Sequence, residues 1–297
     1  MVENWILFGV LAAIGFGGLY TIDRSFVGEL HRNIKPFSYA TFATGVSALF
    51  LSVLMILLHG TPKITLELIK YSLLIGAIGA LASACYYYAL RNAEASYVAP
   101  MTKISVIFSI LLGAYFFGES ISIYVQIGAI LIFLGSYLII EKQSKGQLIY
   151  LPKPTFALLL VILTAVFWSI RVVFDKMAVA TLAPIVVAVF STYFRWIIDF
   201  IFGITIQRDS TAKFLNLLST NRKWVAYLII RGMFSMVALA SFYFAIQQGV
   251  ISKVYPLANI DAFFAVIFGA LFLNEKETFK RLIGSVIVIV GAVMLTI

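Results

Sequence analysis

Seven ionisable residues stand inside long apolar runs: Lys103, Arg171, Asp175, Arg195, Asp199, Arg231 and Asp261. An ionised side chain in hydrocarbon costs at least about 2.5–3.5 kcal/mol on insertion scales, so each requires a partner or a wet cavity, and such residues mark ligand or ion pathways. Arg171 and Asp175 are four residues apart, as are Arg195 and Asp199. On a helix each pair shares a face and neutralises itself. The first pair also falls near the end of its run, where snorkelling lowers the cost. Lys103, Arg231 and Asp261 have no such neighbour. Two cations and one carboxylate leave one positive charge over, which suits a substrate carboxylate, phosphate or zwitterion. The alternative is that all three close into one buried salt-bridge cluster that locks helices together. Asp261 is also the candidate for proton coupling, because a carboxylate in a low dielectric holds a proton more readily than one in water. Exchange without protons is the other option. Aromatic residues able to wall a cavity are Tyr20, Tyr87, Tyr88, Trp168 and Tyr243, although with 15% aromatics most such side chains serve packing.

The elements that must position these groups follow from composition. Of 297 residues, 62% are hydrophobic and only 12% are charged, and the mean hydropathy is +1.02. Soluble domains carry about 25% charge and 45–50% apolar residues, so a water-soluble fold is excluded. Lipid offers no hydrogen bonds to exposed backbone, and unbroken apolar runs rather than alternation point to helices instead of a barrel. The fold class is all-α integral membrane. The net charge of +9 does not signal nucleic acid here, because most Lys and Arg flank apolar segments and orient the chain. Cys85, the single cysteine, precludes an intrachain disulfide and reads as a buried inert thiol; His31 and His59 read as solvated loop residues. No P-loop, Ser/His/Asp set or HExxH motif is present, so the sequence suggests no enzyme and no cofactor.

Runs able to cross roughly 30 Å of hydrocarbon number ten: 5–22, 36–58, 71–90, 95–117, 121–140, 155–174, 184–206, 225–246, 254–273 and 278–297. The first lacks a basic leader and a cleavage signal, so it is expected to be retained. The longest polar stretches are 141–154 and 207–224, and the first divides the chain into five runs and five. Residues 86–140 align without a gap onto 242–296 at an offset of 156, with 14 identities in 55 positions. Co-registered rarer residues make chance a poor explanation: Pro100 with Pro256, Gly113 with Gly269, Glu119 with Glu275, Gly128 with Gly284 and Gly135 with Gly291. Asp23-Arg24 matches Asp175-Lys176, and Pro36 matches Pro184, at slightly different offsets. Lys103 is matched by Asn259, Asp261 by Ser105 and Trp168 by Phe16. The expected domains are repeats at 1–145 and 150–297. Each holds an odd number of runs, so the second enters the membrane inverted, an arrangement of secondary transporters with a midplane site between the halves.

The repeat residues carry structural expectations of their own. Pro100 and Pro256 are expected in first helical turns, where a missing N–H costs little. Glu119 and Glu275 open the helices that follow them and are read as caps rather than as ion ligands. The glycine pairs, seven residues apart, suit close helix packing in lipid.

A Tyr87-Tyr88-Ala89-Leu90 segment leading to a Pro100 helix, a Gly118-Glu119 hairpin and a Gly128-x6-Gly135 helix, repeated as Tyr243-Phe244-Ala245, Pro256, Glu275, Gly284 and Gly291, resembles the drug/metabolite transporter superfamily, EamA branch. Asn274 stands where the glycine before the hairpin glutamate is usual. The resemblance implies secondary transport, often export, of amino acids and other small polar metabolites across the cell's cytoplasmic membrane, and it places Trp168 like a pathway-lining tryptophan. The substrate-binding set expected is Lys103, Asn259, Asp261, Arg231, Trp168, Tyr87 and Tyr243. The expected partners are a small-molecule substrate, the bilayer and protons as coupling ion, with the chain a monomer or weak homo-oligomer. Two rivals share the architecture class: a flippase of a lipid or lipid-linked substrate, which needs a laterally open basic groove, and an intramembrane enzyme or assembly factor, which needs a catalytic cluster that the sequence lacks. Loops after odd-numbered runs, counted with Lys280 and Arg281 at the head of the tenth run, hold 14 Lys and Arg against four on the other side. The positive-inside rule thus places both termini outside, whereas the resemblance implies both in the cytoplasm.

Overall fold

A computed structural model describes residues 4–30, 34–92, 98, 101–140, 156–273 and 279–296. The described residues form twelve α-helices and no strand: α1 (Asn4–Leu30), α2 (Pro36–His59), α3 (Leu66–Asn92), α4 (Ser105–Phe117), α5 (Ile123–Ile140), α6 (Phe156–Thr181), α7 (Pro184–Thr205), α8 (Arg208–Thr220), α9 (Arg222–Gln248), α10 (Ile251–Ala258), α11 (Asp261–Leu273) and α12 (Phe279–Thr296). Seven segments are long and apolar enough to span a bilayer, α10 and α11 counting as one; α4, α5 and α12 supply shorter apolar stretches. The two largest departures from the expected boundaries have plain causes. The polar stretch 207–224 is not a loop, because Phe214, Leu217 and Leu218 recur at helical spacing and dock α8 against Tyr39, Ala43 and Trp224. Helix α6 continues to Thr181, so Arg171 and Asp175 lie mid-helix rather than at its end.

Helix packing runs mostly between the halves. α1 lies against α9, α6 against α3, α2 against α7 and α5 against α12. With α1 matched to α6 and α3 to α9 by the repeat, the first two contacts are equivalents, and the last two pair each helix with its own repeat mate. That is the pattern of a pseudo-twofold axis. In the α5–α12 contact a Cβ on Gly128 would lie 2.7 Å from the Gly291 carbonyl oxygen, one on Gly291 would lie 2.7 Å from that of Gly128, and one on Gly135 would lie 2.7 Å from that of Gly284. Only glycine permits this approach, so the glycine pairs bring helices together as their spacing suggests. Register runs backwards, Gly128 facing Gly291 and Gly135 facing Gly284, so the two helices are antiparallel.

Glu119 does cap a helix, but not its own. Its Oε1 accepts from the Ile251 backbone N–H at 2.7 Å and its Oε2 from that of Ser252 at 2.8 Å, which joins the first-repeat hairpin to the start of α10. A Cβ on Gly113 would fall 2.6 Å from that carboxylate, so the glycine leaves the path open. Pro256 is not in a first turn: it is the sixth residue of α10. Pro100 and Glu275, and the side chain of His31, lie outside what is described. His59 ends α2, exposed, and Cys85 is half-buried rather than buried.

Candidate functional site

Proline inside α10 removes one rung of the hydrogen-bond ladder, and the helix gives way shortly after it. The Asn259 amide is shared between the carbonyls of Tyr255 and Pro256, and Ile260 reaches back only three residues, to Leu257. The Asn259 side chain competes for backbone as well, its Nδ2 donating to the Tyr255 carbonyl at 2.9 Å. The ladder restarts at Asp261, whose Oδ1 accepts from the Ala262 amide at 2.8 Å. The first repeat breaks at the equivalent place, a turn at Lys103-Ile104 preceding α4. Broken helices at matched depth in two repeats are where transporters place polar groups.

The breaks face each other. Lys103 Nζ donates to Asp261 Oδ1 at 2.6 Å and Oδ2 at 2.9 Å, and to Asn259 Oδ1 at 3.1 Å. It also lies 5.4 Å from the centroid of the Tyr20 ring, within cation–π range. Lys103 and Asp261 are 5% and 3% exposed, so each depends mainly on the other to offset its charge.

Arg231 does not join that cluster. Its Nε donates to Asp23 Oδ1 at 2.6 Å and its Nη2 to Asp23 Oδ2 at 3.3 Å, while Nη1 serves the Ala43 carbonyl and Ser47 Oγ, both at 3.2 Å. Tyr39 donates its hydroxyl to the same carboxylate. The positive charge expected to be left over is therefore compensated, and the carboxylate that does it is Asp23, the repeat mate of Asp175. Sequence reading overlooked it because the first apolar run was ended at residue 22, whereas α1 continues to Leu30.

The two intrahelical pairs form, but loosely. Arg171 Nε stands 3.6 Å from Asp175 Oδ2, and Arg195 Nε stands 3.5 Å from Asp199 Oδ2. Both carboxylates have firmer partners: Tyr243 donates its hydroxyl to Asp175 Oδ1 at 2.7 Å, and Thr44 donates to Asp199 Oδ2 at 3.0 Å.

These groups surround one cavity of about 190 Å3. Helices α1, α2, α3, α6, α7, α9, α10 and α11 all contribute to its wall. Five of the seven expected site residues line it: Tyr87, Trp168, Arg231, Asn259 and Asp261. Trp168 packs on Tyr86, ring centroids 5.7 Å apart, and its repeat mate Phe16 also faces the cavity. Lys103 and Tyr243 are not on the wall. Lys103 stands behind Asp261, and Tyr243, fully buried, stands behind Asp175 and beside Ser191. Asp23, Tyr86, Arg171 and Arg195 line the cavity without having been singled out as binding residues. No group of three or more His, Cys, Asp or Glu able to hold a metal occurs among the described residues.

Comparison with known proteins agrees with this architecture. The model of the EamA-like transporter family matches twice, over residues 3–141 and 155–297. An uncharacterised protein of Methanocaldococcus jannaschii is 30% identical over 141 residues, 48% of this chain and 96% of that one. An uncharacterised transporter of Archaeoglobus fulgidus is 25% identical over 210 residues, covering 71% of this chain and 69% of the relative. A WAT1-related protein of Arabidopsis thaliana is 26% identical over 164 residues, 52% of this chain and 45% of that one. A solved crystal structure superposes with a TM-score of 0.75 over 97% of this chain and 98% of its own, at 14% identity, which speaks to the fold alone.

Proposed function

The chain belongs to the EamA-like transporter family, and on that premise we propose that it is a secondary active transporter of a small polar metabolite, an amino acid or a related anionic or zwitterionic compound, working by alternating access. The observation that carries the reading is the cavity of about 190 Å3 between the two repeats, walled by aromatic rings and by charged residues from both halves. A chamber of that size suits a single small solute. On this reading ten helices cross the cytoplasmic membrane as two inverted five-helix repeats, with α4, α5 and α12 completing the count, and the solute is exported. The antiparallel α5–α12 contact supports inversion, because an axis in the membrane plane relates each helix to a mate running the opposite way.

Proton coupling is assigned to Asp261. A proton on its carboxyl removes the charge that holds Lys103, so the two helix breaks separate when the proton arrives.

The test is counterflow in proteoliposomes loaded with a mixture of amino acids and small organic acids. Saturable exchange that the Asp261→Asn variant loses from its pH-gradient response, while keeping exchange at equal pH, is the expected result. An absence of exchange by well-folded protein with every compound refutes the transport reading. Single cysteines in place of Thr61 and Asn216, in a Cys85→Ser background, should label from opposite faces of the membrane. Labelling from one face rules out the proposed topology.

A further inference from the structure

The four cation–carboxylate pairs around the cavity are not alike. Lys103 spends all three of its donors on protein oxygens and Arg231 four of its five, each with a 2.6 Å contact to its carboxylate. Arg171 and Arg195 have no such contact. Their carboxylates stand at 3.6 and 3.5 Å, beyond ordinary charge-assisted hydrogen-bond distance, and the buried Nε of each has no hydrogen-bond partner. The contacts the two guanidiniums do make are long: Arg171 Nη2 donates to the Tyr243 hydroxyl at 3.5 Å, and Arg195 meets Asp199 at the same distance. A guanidinium carries five donors in a fixed fork, so both retain capacity, and both line the cavity.

They also converge. A Cβ placed on Gly79 of α3 would lie 3.7 Å from the Cδ atoms of both Arg171 and Arg195, which are therefore at most 7.4 Å apart, and 3.4 Å from Arg171 Nη1. Both arginine stems thus pack against one stretch of α3, whose Gly76 lines the cavity.

Symmetry supplies a second, independent observation. By the offset that pairs Asp23 with Asp175, the first-repeat counterpart of Arg171 is Leu19, and by the offset that pairs Pro36 with Pro184, the counterpart of Arg195 is Ser47. Both counterparts line the same cavity and neither is charged. The repeat therefore requires no cation at either position, and on the first-repeat side Ser47 instead accepts from Arg231.

We infer that Arg171 and Arg195 form a two-pronged seat for the carboxylate of an organic acid or amino acid, and that Lys103 and Arg231, the cations favoured by sequence, hold helices instead. The inference rests on the transport reading for its biological sense, but the binding it describes is measurable without transport. Bound carboxylate accepts the Nη donors that Asp175 and Asp199 leave unused, and the body of the solute extends toward Trp168, which lines the same cavity.

The experiment uses the full-length protein in nanodiscs with 3-phenylpropionate, phenylalanine, phenylalaninamide and inorganic phosphate as probes. Phenylglyoxal labelling read by mass spectrometry should modify Arg171 and Arg195 at least about tenfold faster than Arg231, and 3-phenylpropionate or phenylalanine should protect both while phenylalaninamide, lacking the carboxylate, should not. Arg195→Lys should weaken that protection at Arg171 at least about tenfold, the loss of one bidentate charged contact. The Arg195→Gln/Asp199→Asn double variant, which strands no charge, should do the same with its thermal stability retained. Protection by phosphate alone would reassign the seat to phosphorylated solutes and overturn the carboxylate assignment. Equal labelling of Arg231, or no protection by any probe, overturns the seat itself. Protection without counterflow would instead sink the transport reading and leave the seat standing, and counterflow that survives the double variant would do the opposite.

Discussion

Replacing Lys103 by alanine should destabilise the protein far more than it disturbs the cavity. Lys103 lies behind the wall, and its ammonium is one of two groups that satisfy the Asp261 carboxylate, the other being the Ala262 amide. With Asp261 only 3% exposed, water in the cavity reaches too little of the carboxylate to replace the lost charge. Removing one member of a buried ion pair costs about 3–5 kcal/mol. At roughly 2 °C per kcal/mol for a chain of this length, the midpoint of thermal unfolding should fall by about 6–10 °C. The double variant Lys103→Ala/Asp261→Ala removes both charges and should recover most of that loss, because an apolar contact replaces a stranded carboxylate. Lys103→Met/Asp261→Leu, which keeps the volume, should recover more. The assay is scanning fluorimetry on detergent-purified single and double variants at one pH. A Lys103→Ala protein as stable as the parent would refute the pairing, and a double variant less stable than Lys103→Ala would show that each residue has a separate role.

The other pairings make expectations of the same kind. Arg231→Ala should cost a similar amount, since it strands Asp23 and strips the Ala43 carbonyl and Ser47 of a donor, and Arg231→Lys should recover only part because one ammonium cannot serve three separate groups; differential scanning fluorimetry ranks the three proteins. Glu119→Gln keeps the shape but halves the acceptors facing the Ile251 and Ser252 amides, and should lower stability by about 1 kcal/mol, with Glu119→Ala losing about 2; hydrogen exchange at the start of α10 reports the cap directly. Gly135→Val drives a branched side chain into the Gly284 carbonyl, 2.7 Å from the new Cβ, and should abolish folded protein on size exclusion, whereas Gly60→Ala, where nothing lies within 4 Å, should be tolerated apart from the cost of a positive φ.

How much of this was legible in the sequence depended on how far apart the interacting residues lie along the chain. The pairs Arg171–Asp175 and Arg195–Asp199 could be read because four-residue spacing fixes proximity once a helix is granted. Their slackness could not, since it depends on Tyr243 and Thr44 drawing the carboxylates away from neighbouring helices. Arg231 and Asp23 are 208 positions apart, and only tertiary packing joins them. One signal was present: Asp23 matches Asp175 across the repeat, each standing one residue past its apolar run, so the attention given to Asp175 applied equally to Asp23. Lys103 and Asp261 were both noticed, and their repeat mates Asn259 and Ser105 placed them at neighbouring depths. Depth alone did not say which of them faced the cavity and which stood behind it. Helix α8 was missed for a simpler reason, in that its charged face dominated the average while the spacing of Phe214, Leu217 and Leu218 carried the helical period.

The distribution of charge bears on how such a carrier avoids leaking. Among the described residues the cavity and its supporting shell hold four cations and four carboxylates, so the ionised pairs balance, and on the proposed reading the empty site presents no net charge to hydrocarbon when the halves rock. Tight pairs occur where helices of different halves meet: Lys103 with Asp261 and Arg231 with Asp23 each tie the first repeat to the second. Loose pairs occur within single helices of the second repeat. On the proposed alternating-access reading, the contacts that break and reform between halves are short, self-contained ion pairs, and the groups that keep spare donors are carried on α6 and α7. On that reading a solute carboxylate seated on Arg171 and Arg195 adds a negative charge that a proton on Asp261 would cancel, so the loaded site would be neutral as the empty one is, with the Lys103–Asp261 contact released in the same step. The proposal thus assigns binding and gating to different residues of one cavity.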